Sequence, residues 1–358
     1  MPAFSNVSPI FQADKVRPDD FSYDLPHEKV AEYPVEPRDI SKMMVLHRDT
    51  CQVEHKIFRD ITEYFQEGDV LVLNNTQVFP AKFTAYKDDT NDPIEVFLLR
   101  ELGENIWEVS VEPARKVRIG NSLIFGENLI CDVIDNTVSS GRVISFHKNG
   151  YDLKQILGKL GEAPLPPYIR RRPEPKDKIT YQTVFAENRG SVVAPCAGMH
   201  FTENLLEEVE SLGVKIAKIT VHLGVHSYEP ITISDLSKYS LNAEYYHISE
   251  QAAETINAAR RTDSRVIVAG ASTLRALETS QFEGIKVVPR EGWTDLFVYP
   301  PHHFHIADGL ITNFHQPQSS TMILQYSFYG QDNLMEVYHE ALEDDYRFLG
   351  YGDAMLII

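Results

Sequence analysis

From residue 192 to the final strand, short apolar runs alternate with stretches of helical period, and this alternation restricts the fold more than any other feature of the chain. Strands are predicted at 192–195, 214–222, 265–269 and 309–313. Helices are predicted at 203–212, 249–261, 272–280, 319–329 and 333–344, and DAMLII is a last strand. β-branched runs closed by Pro or Gly read as buried strands, Thr202 and Ser249 as N-caps, and Gly213 as a helix stop. Strands that alternate with helices build a mostly parallel sheet, and such sheets bind ligands outside the carboxyl ends of their strands. Four junctions then share one edge: the loop ending in His200, the strand ending at His222, the turn opening at Gly270 and the strand running into His315.

Residues 70–149 have a different texture, with short period-two runs separated by turn residues. In IWEVSVEP, Trp107, Val109 and Val111 share one face while Glu108, Ser110 and Glu112 share the other. Several such strands suggest a small antiparallel β-barrel, inserted into an α/β domain made of 1–69 and 150–358. Within the first part, MMVLHRDTCQVEHK reads as a hairpin and IFRDITEYF as a helix. After the insert comes a helix ending at Leu160, then a Pro-rich basic loop around Arg170.

With 34 basic against 52 acidic residues the formal charge is −18, which opposes indiscriminate attraction to nucleic acid or anionic membrane. Any RNA contact must therefore come from local basic patches. Arg115, Lys116 and Arg118 form one, and Arg170, Arg171 and Arg172 beside Tyr168 form the other. A basic loop is usually just a solvated face, but Tyr168 offers a ring on which an unpaired base can stack. Cys51, Cys131 and Cys196 make an odd, widely spaced set without a CxxC pair, as in a reducing compartment. The opening residues lack a basic region followed by an apolar core, and no run approaches membrane-spanning length, so a cytoplasmic protein without membrane contact is expected.

Several motifs resemble one family. APCAGMHFT, LPPYI, YQTVFA, LITNFH and YGDAM, together with FSYDLP and GDVLVLNNTQVFPAK near the start, are similar in order and content to the S-adenosylmethionine:tRNA ribosyltransferase-isomerases of queuosine synthesis. The resemblance covers nearly the whole chain. It implies an α/β domain with an inserted β-barrel and no metal. It further implies transfer of the ribosyl part of S-adenosylmethionine to 7-aminomethyl-7-deazaguanine at the tRNA wobble position, forming epoxyqueuosine while adenine and methionine leave. The chain departs from the family pattern at His226 (Gly there), Asn242 (His), Ala271 (Thr) and Gln316 (Leu). Such changes would suit a relative acting on another nucleoside or nucleotide; a non-catalytic RNA-binding protein on the same scaffold is a third reading.

On this resemblance the co-substrate site is expected around Gly198, Gly224, Gly270, Ser272, Thr273, Arg275 and Asn313. The helix start after Gly270, or the guanidinium of Arg275, would hold the methionine carboxylate, although any strand-to-helix junction has this look. The chemistry needs a group to protonate departing adenine and a base for the C–H beside the sulfonium. Imidazole suits both roles, so His200, His222 and His315 are the candidates, with Asp308 as a further polar partner. A single histidine is more often structural; three at strand ends favour function. His302, His303 and His305 invite a metal reading, but without HExxH or a cysteine ligand no metal is expected. The oligomeric state is not written in the sequence, and a monomer is the favoured reading.

Overall fold

The computed structural model describes residues 16–126, 129–137, 141–147, 152–225, 230–284, 286–330 and 332–358. His226 falls outside them.

Nine strands build the main sheet: β1 Lys42–Leu46, β2 Val53–Ile57, β3 Val70–Asn74, β4 Lys215–Val221, β5 Glu244–Ile248, β6 Val266–Ala269, β7 Arg290–Thr294, β8 Gly309–Asn313 and β9 Ala354–Ile357. Their spatial order is β7-β5-β4-β3-β6-β8-β9-β1-β2. The centre, β4-β3-β6-β8, is parallel, while β5 and β7 on one flank and β9 and β2 on the other add antiparallel pairings. Every residue of β3, β6 and β8 is buried, as expected of central parallel strands covered on both faces. Alternate residues feed two cores. Val70, Val72, Val266 and Val268 pack with Ile256, Leu274 and Phe328 on one side; Leu71, Leu73, Ile267 and Ile311 pack with Phe58, Phe201 and Leu205 on the other.

A closed six-stranded antiparallel barrel is formed by Lys82–Lys87, Pro93–Gly103, Ile106–Glu112, Ser122–Ile124, Ile130–Asn136 and Arg142–Phe146. Trp107, Val109 and Val111 point into it, as their alternation predicts. The expected start of the insert at residue 70 is corrected by β3, which pairs with β4 and β6 at the centre of the main sheet. The first barrel strand begins at Lys82.

Two local readings also change. Residues 192–195 are not a strand: pairing stops at Ser191, and Val192, Val193 and Ala194 are buried without a ladder before the 3-10 turn Cys196–His200. A short apolar run signals burial, and pairing is a separate condition. IFRDITEYF forms a 3-10 helix, Phe58–Tyr64, with Phe58 and Ile61 on the same buried face at the i, i+3 spacing that helix imposes.

Topology then assembles one edge. The carboxyl ends of β4, β3, β6 and β8 bring up His222, Asn74, Gly270 and Asn313. Because β9 runs antiparallel to β8 and β1 parallel to β9, the amino ends of these two strands deliver Asp353 and Ser41 to the same edge.

Candidate active site at the carboxyl edge of the sheet

A cleft of about 740 Å³, counting its open mouth, lies along this edge. Its walls include Asn74, Tyr168, Pro195, the Gly270–Thr273 turn, Asn313 and His315.

The turn is built by Gly270, whose φ of +97° is a left-handed conformation that favours glycine. Its N–H donates to Ile311 C=O at 2.8 Å, joining the turn to β8, and the helix Ala271–Ser280 starts at once. First-turn amides of a helix have no intrahelical acceptor, so this end offers N–H donors and partial positive charge to an anion. Thr273 Oγ1 turns back onto Ala269 C=O at 2.7 Å, leaving half-buried Ser272 as the hydroxyl available at the helix start.

The three histidines separate. Buried His200 is not in the cleft wall; it lines a smaller cavity with Arg38, Ser41 and Tyr351 that shares Gly350 with the cleft. Asn313 Nδ2 donates to its Nε2 at 3.1 Å, so the neutral ring carries its hydrogen on Nδ1 and donates it to Ser41 Oγ at 2.8 Å. Phe58 covers the ring at 4.9 Å between centroids. Burial, helped by the Arg347 and Arg38 charges, pushes its pKa down to about 3. With both nitrogens hydrogen-bonded and the ring outside the cleft lining, His200 orients Asn313 and is not placed against the reacting atoms, in contrast to the expectation for it. Asn313 Nδ2 also reaches Leu349 C=O and Asp353 C=O, while Asn313 Oδ1 has no partner among the described residues.

His222 stands at the end of β4, stacked on Tyr245 at 5.4 Å and held through Nδ1 by Thr76 Oγ1 at 2.8 Å. It does not line the cleft. Its ring lies so close to Gly190 that a Cβ there would collide with Nε2, and burial lowers its pKa. His315 does line the cleft and keeps part of its surface open to it, while burial pushes its pKa down to about 4. Thr312 Oγ1 engages its Nε2 at 2.8 Å, and its Nδ1 has no partner among the described residues.

Four other expectations change with the geometry. Asp308 precedes β8, at the amino end of the parallel strands, where its Oδ2 accepts from Val266 N–H at 2.8 Å; it faces away from the cleft edge. Arg275 is buried, and its Nη2 is paired with buried Glu244, so the guanidinium is committed inside the protein. Gly198 is a packing glycine, since a Cβ there would sit 2.8 Å from the Phe185 ring. Gly224 has open space around it, donates to Glu244 Oε1 at 3.4 Å and lies outside the cleft wall.

The basic patches are thinned as well. Arg171 makes a bidentate pair with fully buried Asp177 at 2.7 Å, donates to Glu32 C=O and stacks on Tyr33. It is structural, whereas Arg170 and Arg172 are exposed. Arg170 lines an open depression that shares Tyr168, Gln316 and Leu349 with the cleft. On the barrel, Arg115 and Arg118 are exposed and Lys116 is paired with Asp92 at 3.1 Å. Among the described residues, the ligand-type side chains that converge are His55, Glu340 and Asp344 at edge strand β2, already engaged with one another and with Tyr346. His302, His303 and His305 do not converge in this way.

Sequence reasoning missed Ser41, Thr312 and Glu244, which position His200, His315 and Arg275. Only Thr312 carries a local signal, three residues from its partner; the other contacts span 159 and 31 positions.

The profile of a family described as Queuosine biosynthesis protein matches residues 18–357. A Chloroherpeton thalassium protein named S-adenosylmethionine:tRNA ribosyltransferase-isomerase is 48% identical over 345 residues, covering 96% of this chain and all of the relative. A protein of the same name from Flavobacterium psychrophilum is 45% identical over 344 residues, covering 94% and 99%. The crystal structure of an S-adenosylmethionine tRNA ribosyltransferase from Thermotoga maritima is 33% identical, with a TM-score of 0.54 over 95% of this chain and 100% of that one. Agreement of this extent, over both the sheet and the barrel, means that the chain belongs to the queuosine biosynthesis family of S-adenosylmethionine:tRNA ribosyltransferase-isomerases.

Proposed function

We propose that this protein transfers and isomerises the ribosyl moiety of S-adenosylmethionine onto 7-aminomethyl-7-deazaguanine at the wobble position of a tRNA, giving epoxyqueuosine and releasing adenine and methionine. The observation that carries this reading is the single cleft in which the Gly270 helix start, the free Asn313 Oδ1 and His315 stand together. The sulfonium co-substrate supplies both the electrophilic ribosyl carbon and an acidified C–H.

The remaining work falls to the chain. The amides opening the helix Ala271–Ser280 hold the methionine carboxylate, a role that passes to them from Arg275 because that guanidinium is already paired with Glu244. Asn313, oriented through His200, Leu349 and Asp353, presents Oδ1 as an acceptor to a ribose hydroxyl or the attacking amine. His315, neutral at pH 7, takes the proton beside the sulfonium at Nδ1. The proton it gains is the one that departing adenine requires, so a single imidazole serves both transfers and ends as it began. A tRNA substrate puts the reaction in the cytoplasm, and one chain carries every residue this reading uses. No helix among the described residues is long and apolar enough to cross a membrane. The reading includes no metal.

The anticodon approaches across the depression bearing Arg170, with Tyr168 as the stacking ring at the lip of the cleft. Neutralising Arg170 and Arg172 together should weaken tRNA binding and reduce the slope of log K against log salt by about 1 to 2. Arg171→Ala should instead destabilise the fold, because it strands Asp177 in the interior. Binding titrations at several salt concentrations check this; an unchanged slope removes the patch from the interface. The function itself is tested by incubating the protein with S-adenosylmethionine and tRNA bearing 7-aminomethyl-7-deazaguanine, then measuring epoxyqueuosine and free adenine by mass spectrometry. Both products support the reading. Absence of both, beside an active relative, would assign the scaffold to another substrate.

A further inference from the structure

His315 occupies the short connection between β8 and the helix Ser320–Tyr329, where the sheet no longer fixes the backbone. Two tyrosine hydroxyls converge on this one residue. Tyr338, on the helix Leu334–Glu343, accepts from the His315 N–H at 3.0 Å, and Tyr23, from the N-terminal segment, donates to the His315 C=O. Neither tyrosine lines the cleft.

We infer that Tyr23 and Tyr338 are positioning residues for the reaction: they clamp the main chain of His315 from both sides so that its ring stays aimed into the cleft. The inference rests on the reading of His315 as the proton carrier. Three observations support it. First, the direction of the clamp is fixed, since Tyr338 donates its own hydrogen to Gln325 Oε1 at 2.6 Å and therefore presents a lone pair to His315. Second, the surroundings are aromatic and dry: Tyr338 is fully buried, Tyr23 nearly so, and both rings pack with Phe348. Phenylalanine would fill the same space there without burying a hydroxyl, so the oxygens are kept for their hydrogen bonds: Tyr23 bonds the His315 C=O, and Tyr338 joins the His315 N–H to Gln325 Oε1. Third, the clamp is joined to the rest of the connection, because Gln318 N–H donates to Phe21 C=O at 3.0 Å, two residues before Tyr23. The ring is held in addition by Thr312 Oγ1 at Nε2, so main chain and side chain of His315 are both anchored.

The test uses the full-length enzyme, with S-adenosylmethionine and tRNA carrying the amine substrate, in Tyr23→Phe and Tyr338→Phe variants. A misplacement of about 1 Å at a reacting group costs on the order of 100-fold, so kcat should fall about 10- to 100-fold while both KM values stay within about twofold. A second readout is the His315 imidazole resonance in NMR. Its titration, near about 4 in the intact protein, should move towards the ordinary histidine value once water reaches the loosened connection. A lowered Tm with unchanged kcat and unchanged titration would overturn the inference, leaving the tyrosines as ordinary core. Should Tyr338→Phe not fold, Tyr23→Phe decides alone, because among the described residues its hydroxyl bonds the His315 C=O and nothing else. The site reading and the clamp fail differently. If His315→Gln keeps the full rate, the site reading is wrong; if it loses the rate while both Phe variants keep theirs, only the clamp is wrong.

Discussion

Replacing His315 by Gln should lower kcat for epoxyqueuosine formation about 10²- to 10³-fold, with little change in S-adenosylmethionine affinity. Positioned proton transfer contributes about 10²- to 10⁴-fold in enzymes generally, and His315 is the one histidine of the three expected at this edge that lines the cleft. Glutamine keeps a polar group that can still engage Thr312, so the loss reports the proton and not the packing. The pH profile gives an independent sign. Burial depresses the His315 pKa to about 4, so the proton-accepting neutral form persists well below the ordinary histidine range. The acid side of the kcat profile should therefore stay flat from about pH 8 to about pH 5, instead of falling through the usual value of about 6.5. Folding responds in the opposite way. In the unfolded chain His315 and His200 take up protons near about pH 6.5, whereas the folded protein resists until about 4 and about 3. The unfolded state then binds more protons, and stability drops as pH falls below that point. Rates must accordingly be taken with the fold monitored by circular dichroism. A loss of less than about tenfold, or an acid limb near pH 6.5, would move the proton carrier elsewhere.

How much of this was legible in the sequence depends on the distance over which each feature is decided. Thr202 and Ser249 cap their helices as read, accepting from Leu205 and Ala252, because capping is settled within three residues. The runs VIVA and GLITN were legible as central strands because burial on both faces leaves a continuous apolar stretch. VLVLN carries the same signal, but nothing local states that its partners lie at Lys215 and Val266, so its sequence alone groups it with the insert that follows. Val192–Ala194 fails in the other direction, being apolar and buried yet unpaired. In the site, Gly270 was readable as a turn, whereas the division of labour among the histidines was not. His200 is silenced by Ser41 and Asn313, which lie 159 and 113 positions away. Asp308 looks like an edge acid in sequence, and only the strand direction shows that it belongs to the opposite edge.

Arg275→Ala should destabilise the protein by about 3 to 5 kcal/mol, the cost of leaving a buried charge without its partner. Glu244 would be that charge: it is 7% exposed, and its remaining donor is the Gly224 N–H at a long 3.4 Å. Set against the roughly 5 to 15 kcal/mol that separates folded from unfolded domains, the loss is large enough to read directly as a shift of the denaturation midpoint. The pair is already imperfect, since Arg275 Nη1 is itself buried without an acceptor, so the native arrangement carries a desolvation cost that an apolar pair would avoid. Replacing both residues, Arg275→Met with Glu244→Leu, should therefore recover most of the stability lost in the single variant, because swapping a whole buried ion pair for apolar groups of similar volume is often neutral or better. A guanidinium that anchored the methionine carboxylate would behave otherwise. The single variant would then lose S-adenosylmethionine affinity while keeping its stability, and the double variant would stay as weak a binder as the single one. Urea denaturation alongside calorimetric titration of S-adenosylmethionine separates the two. Full stability with lost affinity would return the carboxylate to Arg275, and lost stability rescued by the second substitution, with affinity intact, would leave it with the helix start at Gly270.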